Sequence, residues 1–132
     1  MDDVFRVGGR AYNVNIVSLE ENFTILYSEN TGRTMDNGKM FLDAIGTFYG
    51  HKVTVKRKNG YEREFDDLYN YISKPRNTGI QIDIVHNQEM ISYEAYISNG
   101  IRKLERISKD KSKVFWGELS INIVPIEAQE TL

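Results

Sequence analysis

Ile80-Gln81-Ile82-Asp83-Ile84-Val85-His86-Asn87-Gln88-Glu89-Met90-Ile91-Ser92-Tyr93-Glu94-Ala95-Tyr96-Ile97 decides the fold class. Ile80, Ile82 and Ile84 alternate with Gln81 and Asp83, while Ile91, Tyr93, Ala95 and Ile97 alternate with Ser92, Glu94 and Tyr96. A period of two belongs to a strand with one buried and one solvated face. His86-Asn87-Gln88-Glu89 separates the runs, so the pattern predicts a β-hairpin.

The same period recurs on both sides of this segment. Val4 to Val7, Gly8-Gly9 and Arg10 to Val14 have the form of another hairpin, because two glycines supply the positive φ angles of a primed turn. Asn22 to Ser28 reads as a strand with Phe23, Ile25 and Tyr27 on one face and Leu26 on the other, apolar enough for burial on both sides. Phe41 to Arg57 exceeds one regular strand, with Gly46 and Gly50 placed to bend or bulge it. Lys58-Asn59-Gly60 signals a turn, after which Tyr61 to Glu64 is expected to return as a partner strand.

One helix interrupts the strands. Phe65, Leu68, Tyr69 and Ile72 recur at helical spacing, Asp66 and Asp67 suit its N-terminal end, and Lys74-Pro75 closes it. Residues 100–113 mix Ile101, Leu104 and Ile107 with basic residues and fit either a helix or a strand. Trp116 to Ile123 alternates again, and Pro125 ends that strand. Strands, a helix and more strands, without a βαβ repeat, predict a mainly β (α+β) fold. The expected form is an antiparallel sandwich or barrel with one short amphipathic helix, in a single domain over residues 1–132.

Composition narrows the function. Seventeen basic and 19 acidic residues give a net charge of −2, unlike a general nucleic-acid binder. The absence of cysteine removes disulfides, thiolate catalysis and cysteine-based zinc sites. The N-terminal Met1 to Arg6 is unlike a signal peptide, and no apolar run is long enough to span a membrane, so a cytoplasmic product is expected.

The glycine-punctuated segment Thr31 to Gly50 is the most suggestive candidate site. Gly32 and Gly38 stand one residue too far apart for a phosphate loop, and Met40 follows Lys39 where a magnesium-binding hydroxyl belongs. Asp36-Asn37-Gly38 lacks the remaining ligands of a calcium loop. His51 and His86 have no metal-ligand spacing and no motif-placed nucleophile. No catalytic, cofactor or metal residue is therefore assigned, and the chain is not expected to be an enzyme. The basic run Arg102 to Lys113 lacks interleaved aromatic platforms, contains Glu105 and Asp110, and reads as a solvated hairpin tip or charged subunit contact. Trp116 suits a core or an interface anchor.

Ser28 to Met40, with Asp43-Ala44-Ile45-Gly46-Thr47 and the ending Trp116 to Glu127, resembles small structural proteins of phage and prophage tail gene clusters. The resemblance covers roughly residues 16–127 and extends to the element order of tail-tube-like proteins: tube, baseplate-hub and tail-terminator. It implies rings, hexameric in that family, built by self-association and joined to other tail proteins. The resemblance further implies a lumen that DNA can pass through without sequence-specific contact, and a place in a virion tail assembled in a bacterial host cytoplasm. Arg33, Asp36, Asn37, Lys39, Met40, Phe41, Phe48 and Trp116 are the interface candidates, with the polar loop disordered until it meets a neighbour. A monomeric or dimeric protein-binding adaptor is the alternative, and a small enzyme without a recognisable motif the third.

Overall fold

The computed structural model describes residues 4–132. Met1, Asp2 and Asp3, which begin the segment unlike a signal peptide, lie outside them. The elements run β1 (Phe5–Val7), β2 (Val14–Tyr27), β3 (Gly32–Arg33), β4 (Met40–Phe41), β5 (Ala44–Arg57), α1 (Glu62–Ile72), β6 (Ile80–His86), β7 (Glu89–Ile107), β8 (Val114–Pro125) and β9 (Glu130–Thr131). Seven strands form one antiparallel sheet in the order β1-β6-β7-β8-β5-β2, with β9 beside the early part of β5, and β3-β4 form a separate small hairpin. The protein is mainly β with one helix among the described residues.

Alternation places the core. Ile80, Ile82 and Ile84 of β6, Val53 and Val55 of β5, and Leu119, Ile121 and Ile123 of β8 point to the same buried side. Phe65, Leu68 and Ile72 of α1 lie on that side at helical spacing. Each such side chain contributes about 1.5–3 kcal/mol through removal of its surface from water. The β6–β7 hairpin forms as its sequence predicts, with Ile84 opposite Ile91, His86 opposite Glu89, and a two-residue turn in which Asn87 takes φ 54°.

Several expectations change. Gly8 and Gly9 do form a turn, with φ 61° and 81°, and Val7 and Arg10 exchange hydrogen bonds of 3.0 and 3.2 Å. Pairing stops there, because Phe5 and Val7 reach the core by joining β6 instead, Phe5 opposite Ile84. Tyr61 to Glu64 is not a return strand. The place beside β5 is taken by β8, Lys56 opposite Glu118, and acidic Glu62 and Glu64 sit in the first turn of α1, where the helix dipole favours them.

Ala44 to Arg57 is a single continuous strand whose pairing with β2 is irregular at two places: between Ile16 and Ser18, and where Leu26 faces Gly46 while Tyr27 faces Ala44, leaving Ile45 unmatched beside Gly46, where the sequence predicts a bend or bulge. Gly46 has a further use. A Cβ there would lie 2.7 Å from Ala128 Cβ and 2.8 Å from the Glu130 carbonyl, so the missing side chain is what lets the C-terminal segment close against β5. Residues 100–107 resolve the helix-or-strand choice as strand, and 108–113 form a hairpin tip.

Because α1 covers the sheet chiefly through three side chains, Leu68→Ala is expected to lower the unfolding free energy by about 2–5 kcal/mol. Urea denaturation measures this, and the exposed-side change Arg63→Ala, expected within about 0.5 kcal/mol of wild type, is the control.

Candidate assembly surface

The strands are longer than the core they enclose, and the overhangs point in opposite directions. Register from His51 opposite Ile123 to Lys56 opposite Glu118 shows that β8 accompanies only the later half of β5. Before His51, β5 continues with β2 as an arm that ends at Tyr27 and Ala44 and carries β3-β4 beyond it. Past Lys56, β7 and β8 continue as a second arm ending at Ile107 and Val114. These arms leave from opposite ends of the sheet.

A polar layer marks where the core ends and the first arm begins. Glu21 lies opposite His51 in the β2–β5 register, and its Oε2 accepts hydrogen bonds from His51 Nε2 at 3.0 Å and His86 Nδ1 at 2.6 Å. The tautomer that donates from Nε2 leaves His51 Nδ1 as acceptor for the Tyr93 hydroxyl at 2.7 Å. The Tyr49 ring lies 4.7 Å from that of His86. β2 ends the sheet on one side and β6 is second from the other, so this contact shows the sheet curling until its margins touch.

Burial sets the electrostatics of this layer. His51 is 1% exposed, and desolvation holds its pKa below the ordinary value despite the Glu21 carboxylate. Burial opposes the charge of Glu21, but the hydrogen bonds from His86 and His51 outweigh it and lower its pKa. Burial, followed by the charge of Glu21, raises that of Tyr93. Both His51 nitrogens are thereby engaged, and among the described residues no group of three or more His, Asp or Glu is placed to hold a metal. Sequence patterning missed this cluster, since its parts become neighbours only through strand register and sheet curvature.

Beyond the polar layer the core-facing side of β2–β5 continues without a cover. Phe23, opposite Tyr49, is 67% exposed and Ile25, opposite Thr47, is 40% exposed. Leu26 on the other face is exposed as well, so the burial on both sides expected of this strand is absent. The C-terminal segment closes against β5 at Gly46 and Thr47, but the β2 side chains Phe23, Ile25 and Leu26 remain exposed.

The sequence-selected interface residues fall into three places. Arg33, Asp36, Asn37, Lys39, Met40 and Phe41 lie together on the β3–β4 hairpin at the far end of the first arm. Within that hairpin Thr34 N donates to the Lys39 carbonyl at 2.8 Å, Asn37 Oδ1 accepts from Thr34 Oγ1 and Lys39 N, and Arg33 Nη1 donates to the Gly38 carbonyl. Phe41 is 62% exposed. Phe48 is half-buried midway along β5 opposite Thr24.

Trp116 belongs to the other arm, partly buried, with the Arg102 guanidinium 4.2 Å above its ring and 3.8 Å from that of Tyr69. Arg102 Nη1 also donates to Asp66 at 2.9 Å, tying this arm to α1. Here the tryptophan packs within the chain, although its position allows no link to the β3–β4 group. Neither a protein-family model nor a curated protein matches this chain.

The polar layer makes stability pH-dependent with a definite sign. The unfolded chain's His51 protonates near its ordinary pKa of 6.5 while the folded one resists, so its contribution is present above that pH and declines as pH falls through the window below it. Thermal melts of wild type are expected to fall from neutral toward acidic pH, and the descent in His51→Leu to be shallower between 6.5 and the carboxylate range. Parallel pH profiles for the two proteins would contradict this assignment.

Proposed function

We propose that this chain is a structural assembly protein that self-associates into rings or a tube of a phage or phage-derived tail. The observation that carries self-association is the uncovered apolar surface of the first arm, where Phe23, Ile25, Leu26, Tyr27, Phe41 and Leu42 are exposed. Large apolar side chains gathered in exposed positions on one arm are unfavourable in water and characteristic of protein interfaces. A further support is the position of β2, which ends the sheet with backbone groups available along its outer edge for a neighbouring strand. The tail assignment rests on the resemblance of residues 28–47 and 116–127 to tail-cluster proteins.

A ring or tube needs heterologous contacts, in which one surface of a subunit meets a different surface of the next. The two dissimilar arms on opposite ends of one sheet suit that requirement. No step of this role calls for catalysis, a cofactor or a metal. Assembly uses only buried area, backbone pairing and charge.

Sedimentation over a wide concentration range and electron microscopy of the purified protein test the proposal: rings or tubes are expected. Phe23→Asp combined with Ile25→Asp should leave the fold intact, since both side chains are exposed, yet weaken association by at least about tenfold, as aromatic and aliphatic anchors at interfaces typically contribute about 2 kcal/mol or more. A wild-type chain that stays monomeric at every concentration overturns the proposal and favours an adaptor for a different protein.

A further inference from the structure

The two ends of the molecule carry opposite charge. Residues 21–51 and 126–132, gathered at the first-arm end by strand register, with Glu89, opposite the His86 that reaches Glu21, include seven acidic and two basic side chains. Residues 101–117, which form the second arm, include six basic and two acidic ones. The net charge of −2 therefore conceals a strongly polar distribution.

Each end is also apolar and available. Around the acidic side chains Glu29, Asp36, Glu89, Glu127 and Glu130, all exposed, stand the uncovered Phe23, Ile25 and Phe41. Around the exposed Lys103, Lys109 and Lys113 stand Ile101, Leu104, Ile107 and Val114, of which Ile101 is 63% exposed. The basic tip is pre-shaped: Asp110 Oδ1 accepts from Ser108 Oγ, Ser112 N and Ser112 Oγ at 2.7, 3.0 and 2.7 Å, and the bonds from Ser112 and Ser108 lower its pKa to about 2. That carboxylate is spent on holding the turn, which leaves the lysines to face outward.

Two copies meeting through the same end would oppose like charges. Two copies meeting through different ends match acidic to basic and cover apolar surface on both. We propose that copies of this chain join head to tail, the acidic β2–β5 and β9 end of one receiving the basic β7–β8 tip of the next. This rests on the self-association reading above and names the surfaces that meet.

Charge-reversal variants test the pairing. One carries Lys103→Glu, Lys109→Glu and Lys113→Glu, the other Glu89→Lys, Glu127→Lys and Glu130→Lys. Circular dichroism first establishes that each is folded. By sedimentation each variant alone should associate at least about tenfold more weakly than wild type, because its two ends now carry like charge. An equimolar mixture should recover association, since each reversed end again meets its opposite. Wild-type association should also weaken as salt rises from low levels to about 0.5 M. If wild type associates but both variants match it and salt has no effect, the head-to-tail pairing is overturned while self-association stands. A wild type that remains monomeric overturns both.

Discussion

The mismatch between one short helix and very long strands governs this structure. An eleven-residue helix is about 16 Å long at 1.5 Å per residue, whereas the nineteen residues of β7 run about 60 Å at 3.3 Å per residue. α1 can cover only the part of the sheet that lies beneath it. Everything beyond must be polar, be paired with the chain terminus, or remain uncovered. All three outcomes occur along β5: Val53 and Val55 lie under the core, His51 lies in the polar layer, and beyond it β9 pairs with one side of β5 while Phe23 and Ile25 of β2 on its other side stay uncovered.

The polar layer gives the core a boundary as well as a hydrogen-bonding solution. Glu21, His51 and His86 bring β2, β5 and β6 together at the point where the helix no longer supplies apolar cover. A buried imidazole without both partners would cost about 1–3 kcal/mol for an unsatisfied polar group, which is why Tyr93 and Glu21 both matter to the fold. At the other end, Arg102 fills the corresponding place by stacking between Tyr69 and Trp116 while reaching Asp66. Each arm thus leaves the body through a cluster that combines charge with an aromatic ring.

Much of the architecture is legible in local periodicity. The alternations of Ile80 to Ile97 and Trp116 to Ile123 and the helical spacing of Phe65, Leu68 and Ile72 correspond to elements that bury those same faces. What local pattern does not carry is partnership. Gly8-Gly9 forms its turn, yet Phe5 and Val7 pair with β6, because pairing is chosen by access to the core across 75 residues or more of sequence separation. The alternating Phe23, Ile25 and Tyr27 mark a strand correctly, but periodicity cannot distinguish an apolar face that meets a core from one that overhangs it. The Glu21–His51–His86 cluster is illegible for a related reason: it requires the β2–β5 register and the curl of the entire sheet. Of the interface candidates, the β3–β4 residues are legible as a surface segment because glycine and polar residues punctuate it, while the size of Trp116 carries no sign that it sits at the opposite end.

Overhang and charge together constrain how such a molecule can associate. An isolated apolar arm promotes indiscriminate collapse, since hydrophobic contact has no direction of its own. Here the acidic side chains surround one overhang and the basic ones the other, so contact between equivalent ends brings like charges into a desolvated space, where their repulsion strengthens. In the proposed assembly, apolar area would supply the tendency to associate, and the sign of the charge would select the orientation. If copies join as proposed and the acidic-to-basic contact repeats in one direction, the contact is heterologous, and its rotation per copy would decide between closure into a ring and extension as a tube.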